Sequence, residues 1–123
     1  MIKQKLDESD ILLETIIEGM REVKGKDITI LDLKNIETAV CKYFVICSGT
    51  SNTHVSSVSD NVRKFVAKEM QEKPWNTEGQ STSEWILLDY SDIVVHVFQE
   101  KTRAFYTLED LWGDAEIRTF ENI

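Results

Sequence analysis

Several side chains in this sequence are of types that do chemistry, and their spacing decides which chemistry is open. Metal-dependent nucleotidyl transfer needs two carboxylates on one face, so that metal ions can be shared between them and the substrate phosphates. On a strand that means acids at i and i+2. The segment CSGTSNTHV, residues 47 to 55, reads as a glycine turn running from a strand into a helix whose N-terminus could hold a phosphate. The acids do not complete the pattern. Asp27 is followed at that spacing by Thr29, Asp32 by Lys34, Asp89 by Ser91 and Asp92 by Val94. The turn alone is a weak signal, and a hydroxyl-capped strand-to-helix connection accounts for it.

A thiol enzyme would pair Cys41 or Cys47 with His54 or His96. Cys47 sits in an apolar run, where cysteine behaves as a small hydrophobe, and nothing near it in sequence lowers its pKa. His96 alternates with Val94 and Phe98 and reads as a packed or half-buried strand histidine; His54, in the first turn of a helix, reads as a surface or capping neighbour. Two cysteines and two histidines also fall short of metal-ligand spacing. The chain is therefore expected to need no cofactor and no metal. If both cysteines lie on one strand they are about 20 Å apart, too far for a disulfide.

A different kind of site stands in residues 82 to 112, TSEWILLDYSDIVVHVFQEKTRAFYTLEDLW. Side chains alternate across a strand, so Trp85, Leu87 and Asp89 share one face and Ile86, Leu88 and Tyr90 the other. If Ile86 and Leu88 are buried, an aromatic and a leucine are left toward solvent with an acid beside them, which is the composition of a protein-binding hot spot. The competing reading, equally open on pattern alone, has Trp85 filling the core and Asp89 beginning a turn.

The elements that position these residues follow from periodicity. Leu6, Leu13, Ile16, Ile17 and Met20 predict a first helix over about residues 3 to 23, stopped at Gly25 between Lys24 and Lys26. DITILDL, residues 27 to 33, reads as a strand with Ile28 and Ile30 on one face and Thr29, Leu31 and Leu33 on the other. YFVICSG, residues 43 to 49, suits a central strand buried on both sides. Thr50 or Ser51 can cap the next helix, whose stripe is Val55, Val58, Val62, Phe65, Val66 and Met70, with Pro74 beyond its end. WNTEG reads as a short edge strand, and residues 84 to 90 and 92 to 98 as an antiparallel hairpin closed tightly at Tyr90, Ser91 and Asp92. Residues 101 to 112 read as a terminal helical segment near the hairpin. A domain of residues 1 to 112 would then be followed by an irregular or mobile tail, 113 to 123. The fold class is a single small α/β domain with a mixed β-sheet flanked by helices.

Bulk properties narrow the function. Folding 123 residues buries about two-thirds of the surface the unfolded chain exposes, enough for a real core. No apolar run approaches the roughly 20 residues of a membrane span, and MIKQKLDESD lacks the apolar centre of a signal peptide, so a cytoplasmic location with no membrane partner is expected. Reduced cysteines agree with that compartment. Lys and Arg number 14 against 22 Asp and Glu, a net charge of −8. Such a surface repels phosphate backbones; it argues for little direct nucleic-acid binding and for a basic protein partner.

The ordered motifs DITILDL, YFVICSGTSNTHV, DNV, EG, EWILLDYSDIVVHVF and TRAFYTLEDLW closely resemble the ribosomal silencing factors, the RsfS or Iojap family, from about Asp27 to Trp112. The resemblance implies a nucleotidyltransferase-like fold without catalytic acids, and no enzymatic activity. It implies a partner, ribosomal protein uL14 on the 50S subunit, bound where the small subunit would join, so that translation falls under nutrient limitation. It also implies that Trp85, Asp89 and Tyr106 lie in the partner-binding surface. Leu87 is added by strand alternation, and Glu100 and Glu109 by charge. A divergent metal-dependent nucleotidyltransferase and a generic homodimeric module using the hairpin face remain as alternatives, and a homodimer in the free state is compatible with the family reading.

Overall fold

The structure, a computed structural model, describes residues 8 to 121. The expected helical residues 3 to 7 and the last two residues of the expected tail lie outside that range. In chain order the elements are α1 (Glu8–Glu22), β1 (Lys26–Asp32), β2 (Tyr43–Gly49), α2 (Asn52–Met70), β3 (Asn76–Glu78), β4 (Trp85–Asp89), β5 (Ile93–Gln99), α3 (Glu100–Tyr106), α4 (Leu108–Leu111) and β6 (Glu116–Thr119). The strands form one sheet in the order β3-β4-β5-β2-β1-β6. Only the central pair, β2 with β5, is parallel. The chain reaches that pairing by crossing over through α2 and the β3–β4 hairpin, as a parallel pair requires.

Each face of the sheet has its own core. On the first, Ile28, Ile30, Val45, Cys47, Ile86, Leu88, Val95 and Val97 pack against Leu13, Ile16 and Met20 of α1 and Val55, Val58 and Val62 of α2. On the second, Leu31, Leu33, Ile46 and Phe98 cluster with Leu108 of α4. β2 is thus buried on both sides, as its unbroken apolar run implies. Ser51 caps α2, its side chain accepting from the His54 N–H, and the helix ends at Gln71 in the left-handed conformation, short of Pro74.

α1 stops before Gly25, as expected: Lys24 is left-handed, φ 58°, and the Gly25 N–H bonds to the Met20 carbonyl at 2.8 Å. Two local expectations are corrected. The segment 101 to 112 is not one helix. It breaks at Thr107, φ 37°, an unusual conformation for a β-branched residue that swings Leu108 into the second core. The tail is not irregular either: residues 116 to 119 pair antiparallel with β1. All four β6 side chains are exposed, so no hydrophobic alternation marks the strand, and main-chain bonding to the edge of β1 carries it. Phe120 then packs on the first core with the Arg21 guanidinium 5.1 Å from its ring.

The glycine turn has a steric reason to exist. A Cβ on Gly49 would lie 2.8 Å from both the backbone nitrogen and Cγ2 of Val55, so the first turn of α2 can approach β2 only over a bare Cα. Gly49→Ala is expected to lower stability by about 1–3 kcal/mol through overpacking, read as a lower midpoint in urea melts; an unchanged midpoint would show that α2 moves aside freely.

Candidate functional site

The second face of the sheet is covered over only part of its width. α3 and α4 are held there by Arg103, whose guanidinium donates to the Asp27 carbonyl at 2.7 Å, Thr29 Oγ1 at 2.9 Å and Ser48 Oγ at 3.0 Å, and pairs with Glu109 at 3.5 Å. These partners come from β1, β2 and α4, so the clamp ties the C-terminal helices to the β1–β2 half. β4 lies beyond it. Ile86 and Leu88 are buried toward α2, while Trp85, Leu87 and Asp89 face the other way and are each half-buried. The alternation of residues 85 to 89 is as expected, and parts of both readings are present: the three side chains lie on the face away from α2, Trp85 packs on the margin of the second core, and Asp89 begins the turn to Ser91.

Trp85 is fixed from several directions. Its ring centroid lies 4.8 Å from that of Phe98, nearly parallel, and 4.9 Å from that of Tyr106 at the end of α3. Its Nε1–H donates to His96 Nδ1 at 3.0 Å. Gly79, φ 86°, sits in the turn before β4, where any Cβ would run into the Trp85 carbonyl. Leu87 stands beside Glu78 on β3 and His96 on β5. Asp89 accepts from the Ser91 N–H at 2.8 Å, with Asn76 across from it. Tyr106 is 46% exposed and Leu111 72% exposed.

Of the six residues assigned to a surface, Trp85 and Tyr106 are in contact, Leu87 and Asp89 extend the same line along β4, and Glu100 is exposed at the start of α3. Glu109 differs: its side chain turns toward Arg103, so its charge is compensated within the chain. Arg103 itself carried no role in the sequence reading. Its three partners on β1 and β2 lie 55 to 76 residues away and Glu109 six residues on, and no local spacing announces them.

The groups considered for catalysis are kept apart. Cys47 belongs to the first core and Cys41 to the margin of the second, on opposite sides of the sheet, and both are free thiols. Cys41 precedes β2 instead of lying on it. Burial pushes the Cys47 thiol up to about 12 and the Cys41 thiol up to about 11, away from thiolate chemistry. His96 faces away from Cys47. His54 is engaged twice, with Nδ1 accepting from the Thr50 N–H at 2.9 Å and Nε2 2.8 Å from the Val23 carbonyl. Asp89 and Asp92 diverge, since Asp92 turns to Ser9 Oγ at 2.9 Å. Among the described residues no three His, Cys, Asp or Glu side chains converge as metal ligands would.

His96 is the buried polar centre under the exposed line, only 4% accessible. An indole N–H can only donate, so Nδ1 is unprotonated and the neutral ring carries its proton on Nε2. Burial lowers its pKa from 6.5 to about 4. The unfolded chain takes up this proton below pH 6.5 and the folded chain only below about 4, so the group's stabilisation is complete above pH 6.5 and is lost as pH falls through that window. The loss should reach about 3 kcal/mol at about 1.4 kcal/mol per pH unit. Urea melts between pH 7 and 4.5 are expected to show this slope in the parent and a reduced one in His96→Gln, which keeps an acceptor for Trp85; equal slopes would mean another group titrates.

The sequence and the fold have known counterparts. The family model described as ribosomal silencing factor during starvation, RsfS, matches residues 6–123. The ribosomal silencing factor RsfS of Bacillus subtilis (strain 168) is 38% identical over 106 residues, covering 86% of this chain and 88% of its own. A mouse protein named mitochondrial assembly of ribosomal large subunit protein 1 is 28% identical over 89% of this chain and 47% of its own length. The crystal structure of a protein from Chromobacterium violaceum has the same fold, with a TM-score of 0.79, 31% identity and 85% of each chain covered. The resemblance of the motifs and the mixed α/β sheet are both matched, and the chain belongs to the ribosomal silencing factor family.

Proposed function

We propose that this protein binds the large ribosomal subunit, the 50S subunit, through ribosomal protein uL14, and by occupying the joining face keeps the small subunit away and represses translation when nutrients are scarce. The single observation that carries the proposal is the half-covered Trp85–Tyr106 pair, an aromatic anchor held rigid by Phe98 and His96 and left partly open beyond the C-terminal helices. Leu87 continues the apolar line, and Asp89 and Glu100, with the exposed Glu78 and Glu84 nearby in sequence, surround it with acid. Glu109 contributes through Arg103. The setting is the cytoplasm. Among the described residues no helix is long and apolar enough to cross a membrane.

The mechanism is residence without bond chemistry. A 123-residue domain has a radius of gyration of about 14 Å, large against the contact distances at which two subunits close. An interface of about 800 Å² per partner supplies the affinity when one or two aromatic anchors are desolvated. The net charge of −8 speeds encounter with a basic ribosomal protein and opposes sliding onto neighbouring RNA. The large-subunit role in the name of the mouse relative supports the choice of subunit.

Trp85→Ala is expected to cost about 2 kcal/mol or more of binding to purified uL14. Because Trp85 also packs on Phe98, Tyr106→Ala should be titrated beside it; parent-like affinity in both folded variants would remove the anchor. Asp89→Lys is expected to weaken the complex most at low salt and to relieve inhibition of subunit joining, measured by light scattering. A salt-independent change, or joining still fully blocked, would contradict an electrostatic part for this face.

A further inference from the structure

Where α1 begins, the segment after α2 and the turn between β4 and β5 close around a cleft of about 430 Å³. Two hydrogen bonds pin its walls. Ser9 Oγ donates to Asp92 Oδ2 at 2.9 Å and joins the start of α1 to the turn. The Trp75 N–H donates to the Asp89 carbonyl at 2.7 Å and joins the segment of residues 71 to 75 to the end of β4. The cleft is thus built into the fold, and none of the residues assigned to the Trp85 face lines it.

Its lining is acidic, with Glu8, Glu72 and Asp92 against a single cation, Lys73, among the described residues. Asp92 is partly met by Lys42 at 4.0 Å, whereas Glu8 and Glu72 have no ion pair among the described residues. The C-terminal carbonyls of α2, which ends at Met70 beside the cleft, add partial negative charge. Trp75 is 84% exposed, so packing does not account for an indole there. Tyr90 also lines the cleft, is only 5% exposed, and its hydroxyl has no hydrogen-bond partner among the described residues. A buried hydroxyl left unmet is costly, and this one can accept from a cation. Burial pushes the phenol up to about 12, with Arg63 lowering it and Glu72 raising it, so it stays protonated.

These charges decide the class of ligand. An anion is repelled. A metal ion needs oxygen ligands that converge at coordination distance, and among the described residues no three acidic side chains do so. Separated carboxylates, the apolar side chain of Leu12 and an exposed indole suit an extended organic cation, with methylenes on the apolar wall and an ammonium over the aromatic face. We propose that this cleft binds a linear aliphatic polyamine, with one ammonium at Glu8 beside Asp92, another at Glu72 and the Tyr90 hydroxyl, and the chain between them against Trp75. The inference does not rest on the uL14 reading, and either can fail without the other.

Isothermal titration of the full chain with spermidine, in buffer holding millimolar magnesium, is the test. Saturable binding of one spermidine per chain is expected, and magnesium titrated alone should give no saturable heat. Tyr90→Phe, which keeps the ring and removes only the hydroxyl, is expected to weaken binding about tenfold. Trp75→Ala, at an exposed position where the fold loses little, is expected to weaken it about threefold or more. Both variants should keep the parent's far-ultraviolet circular dichroism. No saturable binding, binding that magnesium displaces as it would a diffuse counterion layer, or parent-like affinity in both variants would each overturn the proposal.

Discussion

One guanidinium sets the layout of the second face. Arg103 reaches from α3 to the backbone of β1, to hydroxyls on β1 and β2, and to Glu109 on α4, and so fixes where the C-terminal helices can lie. A nearly buried cation is costly unless its donors are met. Here four acceptors meet it, and they exist only at this place on the sheet. The helices are consequently anchored over β1 and β2, and β4 keeps a half-open flank.

In the proposed function, that asymmetry separates the packing face from the recognition face. The first face is closed by two amphipathic helices and contributes stability. On the second, the aromatic series Phe44, His96, Phe98, Trp85 and Tyr106 runs from covered core to partly open surface. A side chain held on three sides loses little freedom on binding, which is the economy of a preorganised anchor.

Much of this was legible from residue order. The apolar run of residues 43 to 49 announced a strand buried on both sides, and alternation in residues 85 to 89 placed Trp85, Leu87 and Asp89 together, because both signals are local and periodic. The hydroxyls of Thr50 and Ser51 marked the start of α2, and Ser51 is the one that caps it. Other features had no local signal. β6 shows no buried face, so its pattern is silent, and the pairing depends on a vacant edge supplied by β1. The break at Thr107 comes from the pull of Arg103 on Glu109 and of the second core on Leu108, against the helical propensity of the segment. Glu109 looked like a surface charge because its partner Arg103, 3.5 Å away in space, is unmarked by any local pattern. The bond from Trp85 to His96 crosses a hairpin that the sequence announced, but alternation fixes neither its register nor the ring orientation.

The central claim, obstruction by occupancy, is tested most directly by loading purified 50S subunits with the protein and following small-subunit joining by light scattering. Joining is predicted to fall in proportion to the fraction of 50S subunits occupied, to be abolished at saturation, and to recover when free uL14 competes the protein away. Subunits that join at the normal rate and extent while fully loaded would contradict it.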